Sequence, residues 1–147
     1  MKRNLARLLH VRALLEEVSR LELEKRNAEM QLLENAAGLQ RRLVEEVRAN
    51  AIRILTEDAD RGAWLLEIAD AGILARKESK LRSLAVLGKP VVEKARGDLL
   101  ERRLERRQVE ALILAAEQIE KREESRREQN RADEWYQQKS SLRRGQG

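Results

Sequence analysis

Apolar residues recur along the first third of the chain at intervals that keep one side of a helix apolar. Between about Asn4 and Glu57 they are separated by threes, fours and sevens, which is the spacing of an amphipathic helix. This first stripe consists of Leu14, Val18, Leu21, Ala28, Leu32, Leu39, Leu43, Val47, Ala51 and Ile54. Because the stripe has no strict heptad, we expect a long helix with a shallow or irregular supercoil.

The last third of the chain has a second stripe of the same kind, between about Asp98 and Leu142. Its apolar residues are Leu104, Val109, Leu112, Ala116 and Ile119. A stripe this narrow cannot be buried by one helix alone, because a single amphipathic helix gains its stability from packing. The pattern therefore predicts that the two arms pack on each other or on a partner.

Two segments compete for the reversal between the arms, the polar run Thr56–Gly62 and the later Leu87–Pro90. Asp60 is a suitable N-cap for a helix that starts near Gly62 or Ala63. Pro90 removes one helical hydrogen bond and disfavours helix at the preceding residue. We place the main reversal in the polar run.

The predicted fold is all-α, a single long antiparallel two-helix coiled-coil hairpin over residues 1–147. The first helix covers about 4–57, the turn about 58–62, and the second helix about 63–87. The second helix continues after a kink or short break near Pro90 to about 142, and the tail 143–147 is predicted to be disordered. In this hairpin the two chain termini meet at one end.

Composition agrees with extended helices better than with a globule. Charged residues make up 39% of the chain, phenylalanine is absent, and the aromatic residues are Trp64, Trp135 and Tyr136. A compact interior usually contains more aromatic side chains than this. Each tryptophan either fills a local gap between helices or anchors a partner. Trp135 is the better anchor candidate, because its neighbours are almost all polar.

The net charge of +5 is concentrated at the two ends of the chain. Residues 1–26 contain seven basic and four acidic groups, and residues 121–147 contain eight and five, so each segment carries +3. A hairpin whose termini meet would thus have a basic open tip. This tip is either the ordinary solvated surface of a coiled coil or a docking site for an acidic protein surface.

Other classes of function fit the residues less well. Nucleic-acid binding is disfavoured because Glu16, Glu17 and Glu123 interrupt the basic segments. No arm assembles the basic and aromatic faces of a membrane-surface helix, and no segment is long and apolar enough for transmembrane insertion. The lone histidine, His10, lacks a catalytic partner, and without cysteine no thiolate metal site can form. We expect a non-enzyme without a cofactor, in the cytoplasm.

Two sets of residues, one at each end of the chain, follow the pattern of a known family. The opening set is Arg3, Leu5, Leu8, Leu9, Val11, Arg12, Leu15, Glu16 and Glu17. The closing set is more specific and consists of Glu105, Arg106, Arg107, Val109, Glu110, Leu112, Glu124, Arg127, Glu128, Gln129, Asp133 and Glu134. In both sets the chain resembles the flagellar type III export protein family FliJ, and it departs from the family pattern at Pro90 and at the glycines that surround it.

The resemblance implies a stalk similar to the central shaft of rotary ATPases. Its implied partners are the hexameric flagellar export ATPase, the export-gate membrane protein and the export chaperones, at the inner face of the cell membrane. The family's shaft enters the ring by the end that carries both termini. The corresponding partner-binding residues here are Arg3, Arg7, Arg12, Arg126, Arg127, Gln129, Asp133, Glu134 and Trp135. A stalk protein of the related injectisome and a generic coiled-coil adaptor remain alternatives.

Overall fold

A computed structural model describes residues 2–145 and shows two long helices packed against each other. Helix α1 covers Lys2–Arg53 and continues as a π-helical turn over Ile54–Asp58, and helix α2 covers Arg61–Gly145. The described residues contain no strand. The prediction of an all-α helical hairpin is confirmed.

The chain reverses at Ala59 and Asp60, inside the polar run Thr56–Gly62 and not at Pro90. Ala59 has a left-handed backbone with φ 47°, which ends the first helix. The Asp60 side-chain Oδ1 accepts a hydrogen bond of 3.2 Å from the Ala63 amide, as the N-cap prediction required. The backbone carbonyl of Asp60 accepts a second hydrogen bond, of 3.0 Å, from the Trp64 amide.

One row of buried and half-buried residues in each helix alternates by four and three residues, which is a heptad pattern, and further half-buried residues such as Leu15, Leu43 and Ala75 flank it. In α1 the buried or half-buried seam positions are Leu5, Leu9, Arg12, Glu16, Ser19, Leu23, Arg26, Met30, Leu33, Ala37, Gln40, Val44, Val47, Ala51 and Ile54. In α2 they are Trp64, Glu67, Ala71, Leu74, Glu78, Leu81, Ala85, Gly88, Val92, Ala95, Leu99, Arg102, Arg106, Val109, Ile113 and Ala116. With Leu9 and Trp64 as heptad position a, and Arg12 and Glu67 as position d, every residue of both helices has a defined register.

The predicted apolar stripes are wrong in much of their register. Of the α1 stripe, Val47, Ala51 and Ile54 lie at the seam. The exposed members are Leu14, Val18, Leu21, Ala28, Leu32 and Leu39, and Leu43 is half-buried beside the seam. In α2, Val109 and Ala116 lie at the seam, whereas Leu104, Leu112 and Ile119 are exposed. The expectation of an irregular repeat is corrected to a strict heptad, several of whose seam positions are charged.

The sequence predicts a kink or a short break near Pro90, and of these two alternatives the break is wrong. Pro90 lies inside the continuous helix α2, at an exposed position. The hydrogen bond that proline cannot donate is therefore lost on the solvent side, where water can replace it. The predicted tail is also wrong over 143–145, which are helical. The rest of that tail lies outside the described residues.

The structure divides into two compact units. One is the segment Glu17–Glu101, which contains the reversal, and the other joins Met1–Glu16 to Arg102–Gly147. In each unit a stretch of α1 packs against a stretch of α2. No helix within residues 2–145 is long and apolar enough to cross a membrane.

Candidate partner-binding surface

The start of α1 is aligned with Glu120 of α2, because Lys2 forms an ion pair with this glutamate. The hydrogen bond that Lys2 donates to Glu120 raises the pKa of Lys2, and the charges of Glu117 and Glu124 act in the same direction. Residues of α2 beyond Glu120 therefore extend past the start of α1. The described ends of the two helices, Lys2 and Gly145, therefore do not meet, and the predicted open tip formed by both is wrong.

Arg12, predicted as a partner-binding residue, lies in the seam. Its Nη1 donates a hydrogen bond of 2.9 Å to Glu105 Oε2, and Arg102 Nη1 donates to the same oxygen at 3.1 Å. Among the described residues, the buried Nε of Arg12 has no hydrogen-bond partner. The guanidinium of Arg12 thus joins α1 to α2 through Glu105, with its side chain 32% exposed.

Glu16 is the centre of a second group of ion pairs in the same unit. It pairs with Arg103 at 3.5 Å and also with Arg106, whose Nη1 donates a hydrogen bond of 2.6 Å to Glu110. The hydrogen bonds that Arg106 donates to Glu16 and Glu110 raise the pKa of Arg106. These pairs explain how Arg12, Glu16 and Arg106 occupy seam positions: each is paired with an opposite charge across or along the helices.

The C-terminal arm, which we define as residues 121–145, is helical and exposed on every side. It contains the other predicted site residues Arg126, Arg127, Gln129, Asp133, Glu134 and Trp135. At 1.5 Å per residue the arm is about 37 Å long. Arg3 and Arg7 are also exposed, but they lie on α1, which begins opposite Glu120. The structure therefore separates the predicted residues into two sets.

The end of the arm combines aromatic rings with positive charge. The rings of Trp135 and Tyr136 meet edge to face, with centroids 5.5 Å apart and planes at 83°. Lys139 Nζ lies 4.7 Å from the centroid of the Trp135 ring, a cation–π contact. Residues 135–145 contain Lys139, Arg143 and Arg144 and no acidic residue, so a partner would meet an aromatic and basic surface.

The contact between Lys139 and Trp135 is not among the features predicted from the sequence. The four-residue spacing of the two residues could have indicated it, because this spacing places both side chains on one face of a helix. The two tryptophans also differ in their surroundings. Trp64 is half-buried at the start of α2, where it fills a seam position, whereas Trp135 is 55% exposed. Of the two, only Trp135 has an environment suited to anchoring a partner.

Comparison of the chain with protein-family models, with curated proteins and with solved structures finds no match.

Proposed function

We propose that the chain is a non-catalytic stalk of the flagellar type III protein export apparatus. In this proposal the C-terminal arm binds the ring of the export ATPase, and the hairpin couples the ring to the export gate and the substrate chaperones. The injectisome stalk is the alternative from the same class of machine, and a generic coiled-coil adaptor is the alternative outside it.

The closing part of the family resemblance divides into two halves with different surroundings. Glu105, Arg106, Val109 and Glu110 take part in the seam or its ion pairs. Packing between α1 and α2 therefore explains these residue types without a partner. A resemblance there supports a similar hairpin and says little about a partner.

The second half of the resemblance lies in the exposed arm, and this observation carries the proposal. Glu124, Arg127, Glu128, Gln129, Asp133 and Glu134 are exposed. The arm has no apolar face that could fold onto the hairpin, because Ala132 is the only apolar residue between Ile119 and Trp135. A helix that is polar all round is favoured where it reaches across solvent to another molecule.

The charges of the arm suit a protein partner. Between residues 121 and 134 the arm contains five basic and five acidic residues, a balance that would repel a polyanion at many points. Mixed charges of this kind select a complementary protein surface and set its orientation. Trp135 then supplies an aromatic anchor of the type found at interface hot spots.

The test is to mix the purified chain with the cognate export ATPase and to measure binding, ring assembly and ATP turnover. We expect binding, with a change in ring assembly and turnover. The triple variant Arg126→Ala, Arg127→Ala, Trp135→Ala should weaken binding by about 10- to 100-fold, since loss of a tryptophan anchor and two charges commonly costs this much.

The matched control is the double variant Arg42→Ala with Arg48→Ala, which removes two exposed arginines of α1 outside the arm. This variant should bind the ATPase as tightly as the original chain does. If the original chain neither binds the ATPase nor alters its assembly or turnover, the flagellar stalk proposal is wrong. Binding to an injectisome ATPase in its place would move the assignment to the related system.

A further inference from the structure

Buried apolar side chains are distributed unequally between the two compact units. Among the described residues, the unit Glu17–Glu101 contains Ala37, Val44, Ala51, Ala71, Val92, Ala95 and Leu99. The unit that joins Met1–Glu16 to Arg102–Gly147 contains Val109 alone. A region with few buried apolar contacts opens at a lower free-energy cost than the rest of a structure. Apolar burial therefore contributes less to holding α1 against α2 in this second unit.

Ion pairs between the helices have the opposite distribution. We define the clasp as residues 2–16 of α1 together with residues 102–120 of α2. In the part of the chain that the structure describes, every ion pair that joins α1 to α2 lies in the clasp. These pairs join Lys2 to Glu120, Arg12 to Glu105, and Glu16 to both Arg103 and Arg106. The ion pairs of the unit Glu17–Glu101 each join residues three or four apart in one helix.

All the side chains of these four pairs are partly open to water. Lys2 is 56% exposed, and Glu16, which is the least exposed of them, keeps 18%. Ion pairs in contact with water contribute little net stability, and dissolved salt screens them. Apolar burial does not depend on charge. Added salt should therefore weaken the clasp far more than the unit Glu17–Glu101.

The closed clasp also contains an unsatisfied donor. The Nε of Arg12 is buried and has no hydrogen-bond partner within the described residues. A buried donor without a partner costs free energy, because it has lost its hydrogen bond to water. Opening would return this group to water, so the same arginine that pairs with Glu105 also lowers the cost of separating the helices.

We infer that the clasp is an electrostatic device that opens separately from the rest of the hairpin when its ion pairs are screened. In the open form residues 2–16 leave α2, and the apolar seam of the unit Glu17–Glu101 stays closed. Opening exposes Leu5, Leu9 and Arg12, which the closed form holds half-buried at the seam. A partner gains access to these side chains when the clasp opens. The inference does not depend on the proposed function, whose binding residues lie in the arm 121–145.

Hydrogen exchange of the full chain at two salt concentrations tests the inference. Between about 0.1 M and about 1 M sodium chloride the Debye length falls from about 10 Å to about 3 Å. Amides of residues 6–16, beyond the first helical turn, should exchange about 10-fold faster at the higher concentration, since several weak pairs are screened at once. These amides should accelerate together, because the segment opens as a unit. Amides of residues 92–99 should change by less than about 2-fold, since apolar side chains close that seam.

Two double variants change the clasp in opposite directions. Glu16→Gln with Glu105→Gln removes the carboxylates of three pairs between the helices at nearly constant shape. Residues 6–16 of this variant should exchange at low salt about as fast as those of the original chain do at high salt. Glu16→Leu with Arg106→Leu replaces paired charges at two seam positions with apolar side chains. This exchange of residue types is often stabilising, so residues 6–16 should exchange more slowly and respond less to salt.

The matched control is Glu22→Gln with Glu93→Gln, which also removes two carboxylates, but from ion pairs that lie within one helix. It should leave the exchange of residues 6–16 unchanged. Exchange of residues 6–16 that does not respond to salt, or that the control accelerates as much as Glu16→Gln with Glu105→Gln does, would overturn the inference. Equal acceleration of residues 92–99 by salt would overturn it as well, because the hairpin would then open as a whole.

Discussion

Replacing Leu99 with alanine is expected to lower the free energy of unfolding by about 2–4 kcal/mol, the usual cost of removing a buried leucine side chain. Leu99 is 5% exposed and belongs to the seam of the unit Glu17–Glu101. The substitution removes apolar contacts and leaves a cavity between two helices whose other buried residues are mostly small. Urea unfolding followed by circular dichroism at 222 nm measures the loss, at one fixed protein concentration.

The neighbouring residue provides the control. Leu100 is 57% exposed, so Leu100→Ala should cost less than about 1 kcal/mol. The two substitutions remove the same atoms from adjacent residues of one helix, and alanine suits a helix in both places. Equal losses, or a larger loss for Leu100, would mean that the seam runs through a different set of positions.

Replacing Gly38, Gly72 and Gly97 with alanine together is expected to raise the free energy of unfolding by about 2–3 kcal/mol. All three lie inside helices, none has a positive φ, and a Cβ at each would meet no atom within 4 Å. Each substitution should contribute about 0.8–1 kcal/mol of helix propensity. The sites are far apart in the chain, so their effects should add approximately. Thermal unfolding of the single and triple variants measures the sum.

Gly88 should respond differently to the same change. A Cβ at Gly88 would lie 3.1 Å from Cε of Met30, so the flexible methionine side chain must move before alanine fits. Gly88→Ala should therefore stabilise the chain less than Gly97→Ala. A triple variant no more stable than the original chain would contradict a continuous helix through these glycines.

The fold class and the reversal were accessible from the sequence because both depend on local signals. A single proline, helical spacing and a high charged fraction favour long helices. Asp60 is recognisable as an N-cap because the first amides of a helix need a nearby acceptor, and its side chain accepts from the Ala63 amide. The position of the reversal also implied unequal arms. A turn near residue 60 in a chain of 147 residues leaves α2 much longer than α1, so the prediction that the termini meet conflicted with the predicted turn itself.

The register of the seam was not accessible in the same way. Leucines occupy more than one side of α1, so hydrophobic spacing alone gives two candidate faces. The true seam contains Arg12 and Glu16, which count against burial in any hydrophobicity pattern. Their partners Glu105 and Arg106 lie about 90 residues away in sequence. These charged side chains are stable at the seam because residues distant in sequence pair with them. No local sequence pattern indicates such pairing.

For the same reason, the positions of the candidate site residues in the fold could be predicted only in part. The residues of the arm were identified from charge, aromatic content and family resemblance, which require no tertiary information. The family resemblance assigns Arg12 to a partner, and its ion pair with Glu105 cannot be predicted from residue spacing. The separation of Arg3 and Arg7 from the arm follows from the alignment of Lys2 with Glu120, which is again a long-range contact.

Hydrogen exchange measured on the chain alone and with the export ATPase tests the central claim most directly, which is that an exposed helical arm is the binding segment. In the free chain, amides of residues 121–145 should exchange quickly, and those around the buried Val92, Ala95 and Leu99 should exchange slowly. Addition of the ATPase should slow exchange in the arm and leave residues 92–99 unchanged. Protection of the arm in the free chain, or an arm that exchanges equally fast in the complex, would contradict the account.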